Sequence, residues 1–157
     1  MMTHLCCDVL NLLRSQGKTL VTAESLTGGG IGNALTAVSG ASEVYKGGII
    51  SYVNEIKRDV LGVPQEILDR YGAVSPWTAG YMASGVRELL KADVAVSVTG
   101  LAGPGGDEFG HPVGTVYIGF ACNQKSLVKQ YRFEGSREEV RIQTIQAALE
   151  LILENLE

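Results

Sequence analysis

Hydrophobic residues recur along the chain with two spacings, one helical and one extended, that alternate from one end to the other. Leu5, Val9, Leu12 and Leu13 fall at helical spacing and predict a first helix that Gly17 ends. A short apolar run over residues 19–23 then predicts the first strand. Further helices are predicted over residues 29–38, 55–61 and 64–71 and from Ser75 and Ser136 onward, and further strands over residues 49–53, 93–98, 113–122 and 125–133.

The order of these segments predicts the architecture. Helices that separate strands imply a sheet covered on both faces, while the strands over residues 113–122 and 125–133 read as a hairpin, which makes the sheet mixed. We therefore predict an α/β fold, a three-layer α/β/α sandwich with a mixed, mostly parallel sheet. At 157 residues the chain is expected to form a single domain, residues 1–157.

The last helix carries the strongest local signals. Ser136 and Glu139 have the spacing of a capping box. An apolar stripe follows at Ile142, Ile145, Leu149, Ile152 and Leu156. Ala148 and Leu151 widen that stripe beyond one packing face, which favours a homo-oligomer, although a deeply buried helix would have the same pattern.

Composition and charge narrow the class of protein. The formal net charge of −4 argues against binding nucleic acid through phosphate neutralisation, and no apolar run approaches the ~20 residues of a membrane span. The start of the chain lacks a signal-peptide pattern, so a cytoplasmic location is expected. Three cysteines and two histidines lack the spacing of a disulfide framework or a tetrahedral metal site. Neither a metal nor a cofactor is predicted.

The most informative segment is the strand-to-helix joint over residues 21–31. An apolar run stops at Glu24-Ser25, and glycines from Gly28 follow directly. The N–H groups at a helix start can stabilise an anion or a developing oxyanion near Ser25. The joint lacks the Gly-Lys-Ser/Thr of a P-loop and the G-x-S-x-G of a nucleophile elbow. The simpler alternative is that Ser25 or Thr27 only caps the helix.

Two more joints of this kind follow. Tyr52 is placed at the end of the second strand, Asn54 as the N-cap of the next helix, and Lys57 in its first turn. The third strand runs into the glycine-rich segment 99–106. Three strands that end in such loops suggest one crevice at the carboxyl edge of the sheet.

Five segments together resemble the motifs of the CinA C-terminal domain family. They are Ala23-Glu24-Ser25-Leu26-Thr27-Gly28-Gly29, Ser51-Tyr52-Val53-Asn54-Glu55-Ile56-Lys57, Gly72-Ala73-Val74-Ser75, Thr99-Gly100-Leu101-Ala102-Gly103-Pro104 and Pro112-Val113-Gly114-Thr115-Val116-Tyr117. The resemblance implies a stand-alone nicotinamide-nucleotide amidase, which converts nicotinamide mononucleotide to nicotinic acid mononucleotide and ammonia. It also implies a catalytic serine, tyrosine and lysine at Ser25, Tyr52 and Lys57. The chain departs from the family at Leu26, where a cysteine is usual, and at His111, where a lysine is common.

The implied chemistry sets physical requirements. A serine nucleophile needs a base, and Lys57 can be that base only when neutral, which requires burial to lower its pKa from about 10.4. Tyr52 could relay the proton, and the N–H groups of residues 26–28 are candidate oxyanion donors. Glu24 is expected on the opposite side of the strand end, where it either anchors the loop or pairs with Lys57.

The predicted substrate-binding residues come from the two glycine loops and the last helix. They are Thr27, Gly28, Gly29, Thr99, Gly100, Ala102, Gly103, Arg137 and Arg141. The two arginines lie four residues apart and could clamp a phosphate, or pair with acids on a solvated surface. The segment 99–106 could form an anion nest, or a turn shaped only by its glycines. Two functions stay open: an amidase acting on a small nucleotide, and a non-catalytic nucleotide-binding or competence- and damage-associated regulatory module.

Overall fold

The computed structural model describes residues 2–157, which fold as alternating helices and strands around one sheet. In chain order the elements are α1 (Met2–Ser15), β1 (Leu20–Glu24), α2 (Gly30–Thr36), a 3₁₀ turn (Ala41–Glu43), β2 (Tyr45–Ile50), α3 (Asn54–Asp59), α4 (Gln65–Tyr71), α5 (Pro76–Leu90), β3 (Val94–Gly100), β4 (Thr115–Cys122), β5 (Ser126–Arg132) and α6 (Arg137–Leu156). None of the helices in this part of the chain combines the length and apolar character needed to cross a bilayer.

The sheet has five strands in the order β2-β1-β3-β4-β5. β1 pairs in parallel with β2 and β3, whereas β4 is antiparallel to β3 and to β5. Because β5 reverses direction again, four of the five strands point the same way. The predicted mixed, mostly parallel sheet is confirmed.

Helices cover both faces of the sheet. Side chains of β3 alternate between the faces: Val94, Val96 and Val98 join the core formed with α1, α2 and α6, whereas Ala95 joins the core formed with α4 and α5. Both cores are built from side chains that are almost completely buried. The three-layer α/β/α sandwich is therefore confirmed.

The starts of α5 and α6 follow the local signals of the sequence. Ser75 caps α5, with its hydroxyl accepting a hydrogen bond from the Thr78 N–H at 3.0 Å, and Pro76 occupies the first turn. The capping box of α6 is present in both directions between Ser136 and Glu139. Such caps satisfy N–H groups that have no partner inside the helix, so they fix where a helix begins.

The second strand differs from the prediction. β2 begins at Tyr45 and ends at Ile50, so Tyr52 and Val53 follow the strand and are more than half exposed. Gly48 serves the pairing with β1, since a Cβ at this position would overlap the side chain of Thr22. Asn54 is the first residue of α3 and not its cap; Val53 holds the cap position without a side-chain hydrogen bond.

The wide apolar face of α6 is explained by burial. Ala148 and Leu151 are 0% and 2% exposed within the single chain, in the core formed with α1, α2 and the sheet. Ile142, by contrast, is 47% exposed. The second of the two interpretations, a deeply buried helix, thus accounts for these residues, and they give no support to a homo-oligomer.

Candidate active site

A cavity of about 520 Å³ opens at the edge of the sheet where β1, β2 and β3 end. Ser25 follows β1, Tyr52 follows β2, and Thr99 and Gly100 end β3; all four line the cavity. Parallel strands bring their carboxyl ends to one edge, which is the usual place for ligand sites in such sheets. The predicted crevice is therefore present in the fold.

Ser25 and Lys57 meet in this cavity. The Lys57 Nζ lies 3.0 Å from the Ser25 Oγ, 2.6 Å from the carbonyl oxygen of Ser51 and 3.3 Å from that of Tyr52. Lys57 is 0% exposed and Ser25 is 7% exposed. A neutral amine has two N–H donors and one lone pair, so the two carbonyls can accept its hydrogens while the serine hydroxyl donates to its lone pair.

Burial changes the ionisation of this lysine. Removal from water lowers the Lys57 pKa from 10.5 to about 8, because desolvation penalises the ammonium form. Among residues 2–157, no carboxylate forms an ion pair with it. The predicted depression of the Lys57 pKa therefore has a physical cause, burial, and no paired carboxylate within residues 2–157 opposes it.

Glu24 anchors the loop, which is one of the two roles that the sequence left open. Its buried carboxylate accepts hydrogen bonds from the Thr27 hydroxyl at 2.6 Å and from the N–H groups of Ile31 and Gly32 at 2.9 and 3.0 Å. The cap position of α2 is held by Gly29 without a side-chain hydrogen bond, so neither Ser25 nor Thr27 caps the helix. The sequence predicted that the N–H groups at this helix start could stabilise an anion near Ser25, and two of them, those of Ile31 and Gly32, donate to the Glu24 carboxylate.

The turn after Ser25 presents free backbone donors. The Gly28 N–H donates to the carbonyl oxygen of Ser25 at 3.0 Å, which removes it from the candidate oxyanion donors. No group within residues 2–157 accepts a hydrogen bond from the N–H of Leu26 or Thr27. Leu26 lines the cavity whereas Thr27 does not, so the Leu26 N–H is the better candidate donor to a developing oxyanion beside Ser25.

Tyr52 contacts a different partner from the one predicted. Its hydroxyl accepts a hydrogen bond from the Arg137 Nη2 at 3.0 Å, and the side chain is 58% exposed. Its carbonyl oxygen, not its hydroxyl, contacts Lys57. Tyr52 therefore lines the cavity without the hydrogen bonds to Ser25 and Lys57 that a proton relay requires.

The two arginines of α6 have different positions and different hydrogen-bond partners. Arg137 lines the cavity and donates from Nη1 to the carbonyl oxygen of Gly103 at 2.7 Å. Arg141 contacts the turn that follows Ser25, where it donates to the carbonyl oxygens of Leu26 and Thr27 at 2.9 and 3.2 Å. Among residues 2–157, neither arginine forms an ion pair with an acidic residue. Arg137 lines the cavity and Arg141 does not, so the structure does not bring the two guanidinium groups together in the cavity.

The other predicted binding residues fall into two groups. Four of them line the cavity: Thr99, Gly100, Ala102 and Gly103. The three from the first glycine loop do not line it: Thr27, Gly28 and Gly29. The loop glycines serve the turn itself, with φ of +57° at Gly28 and +99° at Gly29, a conformation that glycine adopts without strain.

Sequence reasoning missed one wall of the cavity. Gly72, Asp107, Glu108 and Phe109 line it, and the Phe109 ring packs where a Cβ on Gly72 would stand. The Asp107 carboxylate contacts His111 twice, with 2.6 Å between Oδ2 and Nδ1 and with Oδ1 accepting a hydrogen bond from the His111 backbone N–H at 3.0 Å. The motif that contains Gly72 was a usable signal, since it stands out in the sequence without an assigned role.

The fold and the site define an α/β protein with a buried serine–lysine pair at the carboxyl edge of its sheet. Comparison with known proteins agrees: the model of the CinA C-terminal domain matches residues 2–156, and the chain belongs to this family. A relative from Caldanaerobacter subterraneus subsp. tengcongensis, named for competence-damage inducibility, is 46% identical over 149 residues, 95% of this chain and 36% of the relative. The chain thus spans about a third of the length of the curated relatives it matches.

Solved structures of the family share the fold almost completely. A CinA superfamily protein from Klebsiella pneumoniae has a TM-score of 0.97 at 35% identity, with 99% of this chain and 98% of that chain covered. A competence/damage inducible protein from Agrobacterium tumefaciens has a TM-score of 0.94 at 39% identity, with coverage of 99% and 94%. At these identities, the likeness extends to both fold and family.

Proposed function

We propose that this chain is an amidohydrolase that converts nicotinamide mononucleotide to nicotinic acid mononucleotide and ammonia. The observation that carries the proposal is the 3.0 Å contact between the Ser25 Oγ and the Nζ of the fully buried Lys57. A serine hydroxyl is a weak nucleophile until a neighbouring base takes its proton, and a lysine whose pKa is lowered to about 8 can do so near neutral pH.

The first half of the reaction forms an acyl-enzyme. The Ser25 Oγ attacks the carboxamide carbon and its proton passes to the Lys57 Nζ. The carbonyl oxygen becomes an oxyanion, which the N–H group of Leu26 stabilises, with that of Thr27 next to it in the same turn. When the C–N bond breaks, Lys57 returns the proton to the leaving nitrogen, and ammonia departs.

The second half restores the enzyme by the same residues. Neutral Lys57 takes a proton from a water molecule, whose oxygen attacks the ester carbon. The bond to the Ser25 Oγ then breaks, the serine recovers its proton from Lys57, and the product leaves as a carboxylic acid that ionises in water. One water is consumed, and one base serves both steps.

Cavity size and charge support a nucleotide substrate. A cavity of about 520 Å³ lies within the range of small-molecule sites, roughly 300–1,000 Å³. Arg137 lines it and presents a guanidinium group, the side chain best suited to bind a phosphate. Tyr52 would orient Arg137 through their hydrogen bond, which gives the tyrosine a binding role in place of the proton relay.

A second function follows from the relatives' names. A protein named for competence-damage inducibility could be a regulatory module that holds a nucleotide without turnover. Such a module needs the cavity and Arg137, but gains nothing from a buried lysine beside a serine. The serine–lysine contact therefore favours the enzyme.

Ammonia release tests the proposal directly. Purified protein is assayed with nicotinamide mononucleotide, nicotinamide riboside and free nicotinamide, with the Ser25→Ala variant as the matched control. We expect release from the nucleotide by the wild type and none by the variant. Binding of the nucleotide without release by either protein would support the regulatory module.

A further inference from the structure

Glu24 is an unusual residue to find buried, because it carries a charge without a cationic partner. It is 2% exposed, and no ion pair within residues 2–157 involves it. Four donors face its carboxylate: the hydroxyls of Thr27 and Thr22, at 2.6 and 3.3 Å, and the N–H groups of Ile31 and Gly32, at 2.9 and 3.0 Å. Unpaired N–H groups at a helix start favour a negative charge, so α2 stabilises this carboxylate.

These hydrogen bonds connect the two ends of the turn that contains Ser25. Glu24 ends β1, and its donors at Ile31 and Gly32 begin α2, so one side chain ties both ends of the turn that contains Ser25. The Thr27 hydroxyl adds a third tie inside the turn. The turn holds the Leu26 and Thr27 N–H groups, which have no acceptor among the described residues.

The backbone of Glu24 extends the same framework to the base. Its carbonyl oxygen accepts a hydrogen bond from the Ser51 N–H at 2.8 Å. The carbonyl oxygen of Ser51 in turn accepts one from the Lys57 Nζ at 2.6 Å. Glu24 therefore connects the serine turn through its side chain and the lysine segment through its main chain.

We propose that Glu24 is a positioning residue of the serine–lysine site, whose carboxylate holds the Ser25 turn in the geometry required for attack and for oxyanion stabilisation. This inference rests on the proposed function. Glu24 does not line the cavity, so its contribution falls on the chemical step and not on substrate binding. A displacement of about 1 Å at such a site lowers the rate by roughly a hundredfold.

Glu24→Gln tests the inference, since it keeps the shape of the side chain but turns an amide NH₂ toward N–H donors. We expect kcat to fall by about tenfold to a hundredfold, with an unchanged Kd for nicotinamide mononucleotide in the Ser25→Ala background. The control is Leu35→Ala, which destabilises the buried face of α2 without touching the carboxylate. It should lower the thermal midpoint and leave kcat near the wild-type value.

A substrate-independent readout separates this inference from the proposed function. A fluorophosphonate probe labels an activated serine whatever the natural substrate, and Glu24→Gln should slow labelling of Ser25 by the same factor as kcat. Wild-type labelling without ammonia release would count against the amidase and leave the positioning role supported by the labelling rates. Equal kcat or labelling in Glu24→Gln and wild type, or equal losses in Glu24→Gln and Leu35→Ala, would overturn the inference.

A second variant tests the same inference in case Glu24→Gln does not fold. Thr27→Val keeps the side-chain shape and removes one of the carboxylate's donors. We expect a smaller decrease of kcat and of labelling, with the affinity for nucleotide retained. The opposite result is a variant with wild-type rates and a lower unfolding midpoint than the wild type. That result would show that the hydrogen bonds of the Glu24 carboxylate stabilise the fold without positioning Ser25.

Discussion

Lys57 is proposed to work as a neutral base, and this makes the rate depend on pH in a defined direction. With a pKa of about 8, about a tenth of the lysine is neutral at pH 7 and about nine tenths at pH 9. kcat/KM should therefore rise about tenfold between pH 7 and 9 and level off above the pKa. The rate decreases on the acid side of the pH profile because protonation of Lys57 removes the base.

The measurement is ammonia release from nicotinamide mononucleotide at concentrations well below KM. It is restricted to pH values above 7, because a phosphate monoester itself titrates near pH 6 and would add a limb of its own. Circular dichroism at each pH confirms that the protein stays folded. A flat profile between pH 7 and 9 would show that Lys57 does not act as a titrating base.

Substitution separates a neutral base from a fixed charge. Lys57→Arg keeps the positive charge but cannot lose it in the useful range, and Lys57→Met removes the amine at similar length. Both variants should lose activity by about a hundredfold or more. Substantial activity in Lys57→Arg would contradict the mechanism, since it would mean that the site needs only a cation.

Three further predictions concern the same site. Ser25→Ala should keep the fold and the affinity for nucleotide while losing turnover, measured by binding and ammonia release in parallel, because it deletes one hydroxyl from a loop; turnover near the wild-type rate would exclude the serine nucleophile. Arg137→Gln should weaken binding of the nucleotide more than that of the nucleoside, whereas Arg141→Gln should affect both alike because it loosens the turn; the reverse pattern in titrations of both ligands would place the phosphate at Arg141. The third prediction concerns the free energy of unfolding. The pKa of Lys57 is lower in the folded state than in the unfolded state, so burial of the ammonium group destabilises the fold. This destabilisation is fully present below pH 8 and disappears as pH rises toward 10.5. That difference of 2.5 pKa units, 10.5 minus 8, corresponds to about 3 kcal/mol, so denaturant unfolding should show wild type gaining about that much on Lys57→Met between pH 8 and 10.5.

Features decided within a few residues could be predicted from the sequence. The starts of α5 and α6 were correct because Ser75 and Ser136 satisfy N–H groups only three positions ahead. The three-layer fold also followed, since the alternation of helix and strand needs no knowledge of distant contacts. The resemblance to the CinA C-terminal domain family directed attention to Ser25 and Lys57, and the fold brings them together.

Features decided by distant contacts were missed. β2 contains Gly47 and Gly48, which look like a turn in the sequence, but Gly48 is required by close packing against Thr22 of the neighbouring strand. The two arginines of α6 look alike at helical spacing, yet Arg137 reaches a carbonyl 34 residues away and Arg141 one that is 115 residues away. No local pattern distinguishes such partners, because the tertiary fold creates them.

Glu24 and Lys57 are both buried near Ser25, and the separation of the carboxylate from the amine is what would allow the lysine to serve as a base. A carboxylate beside Lys57 would keep it protonated and raise its pKa. Glu24 and Ser25 are adjacent at the end of β1, and successive side chains of a strand point to opposite sides. The serine therefore faces Lys57, while the carboxylate faces the start of α2 and is satisfied there. This one-residue alternation gives the Ser25 turn a buried carboxylate as its anchor and keeps that carboxylate away from Lys57, the residue that we propose as the base.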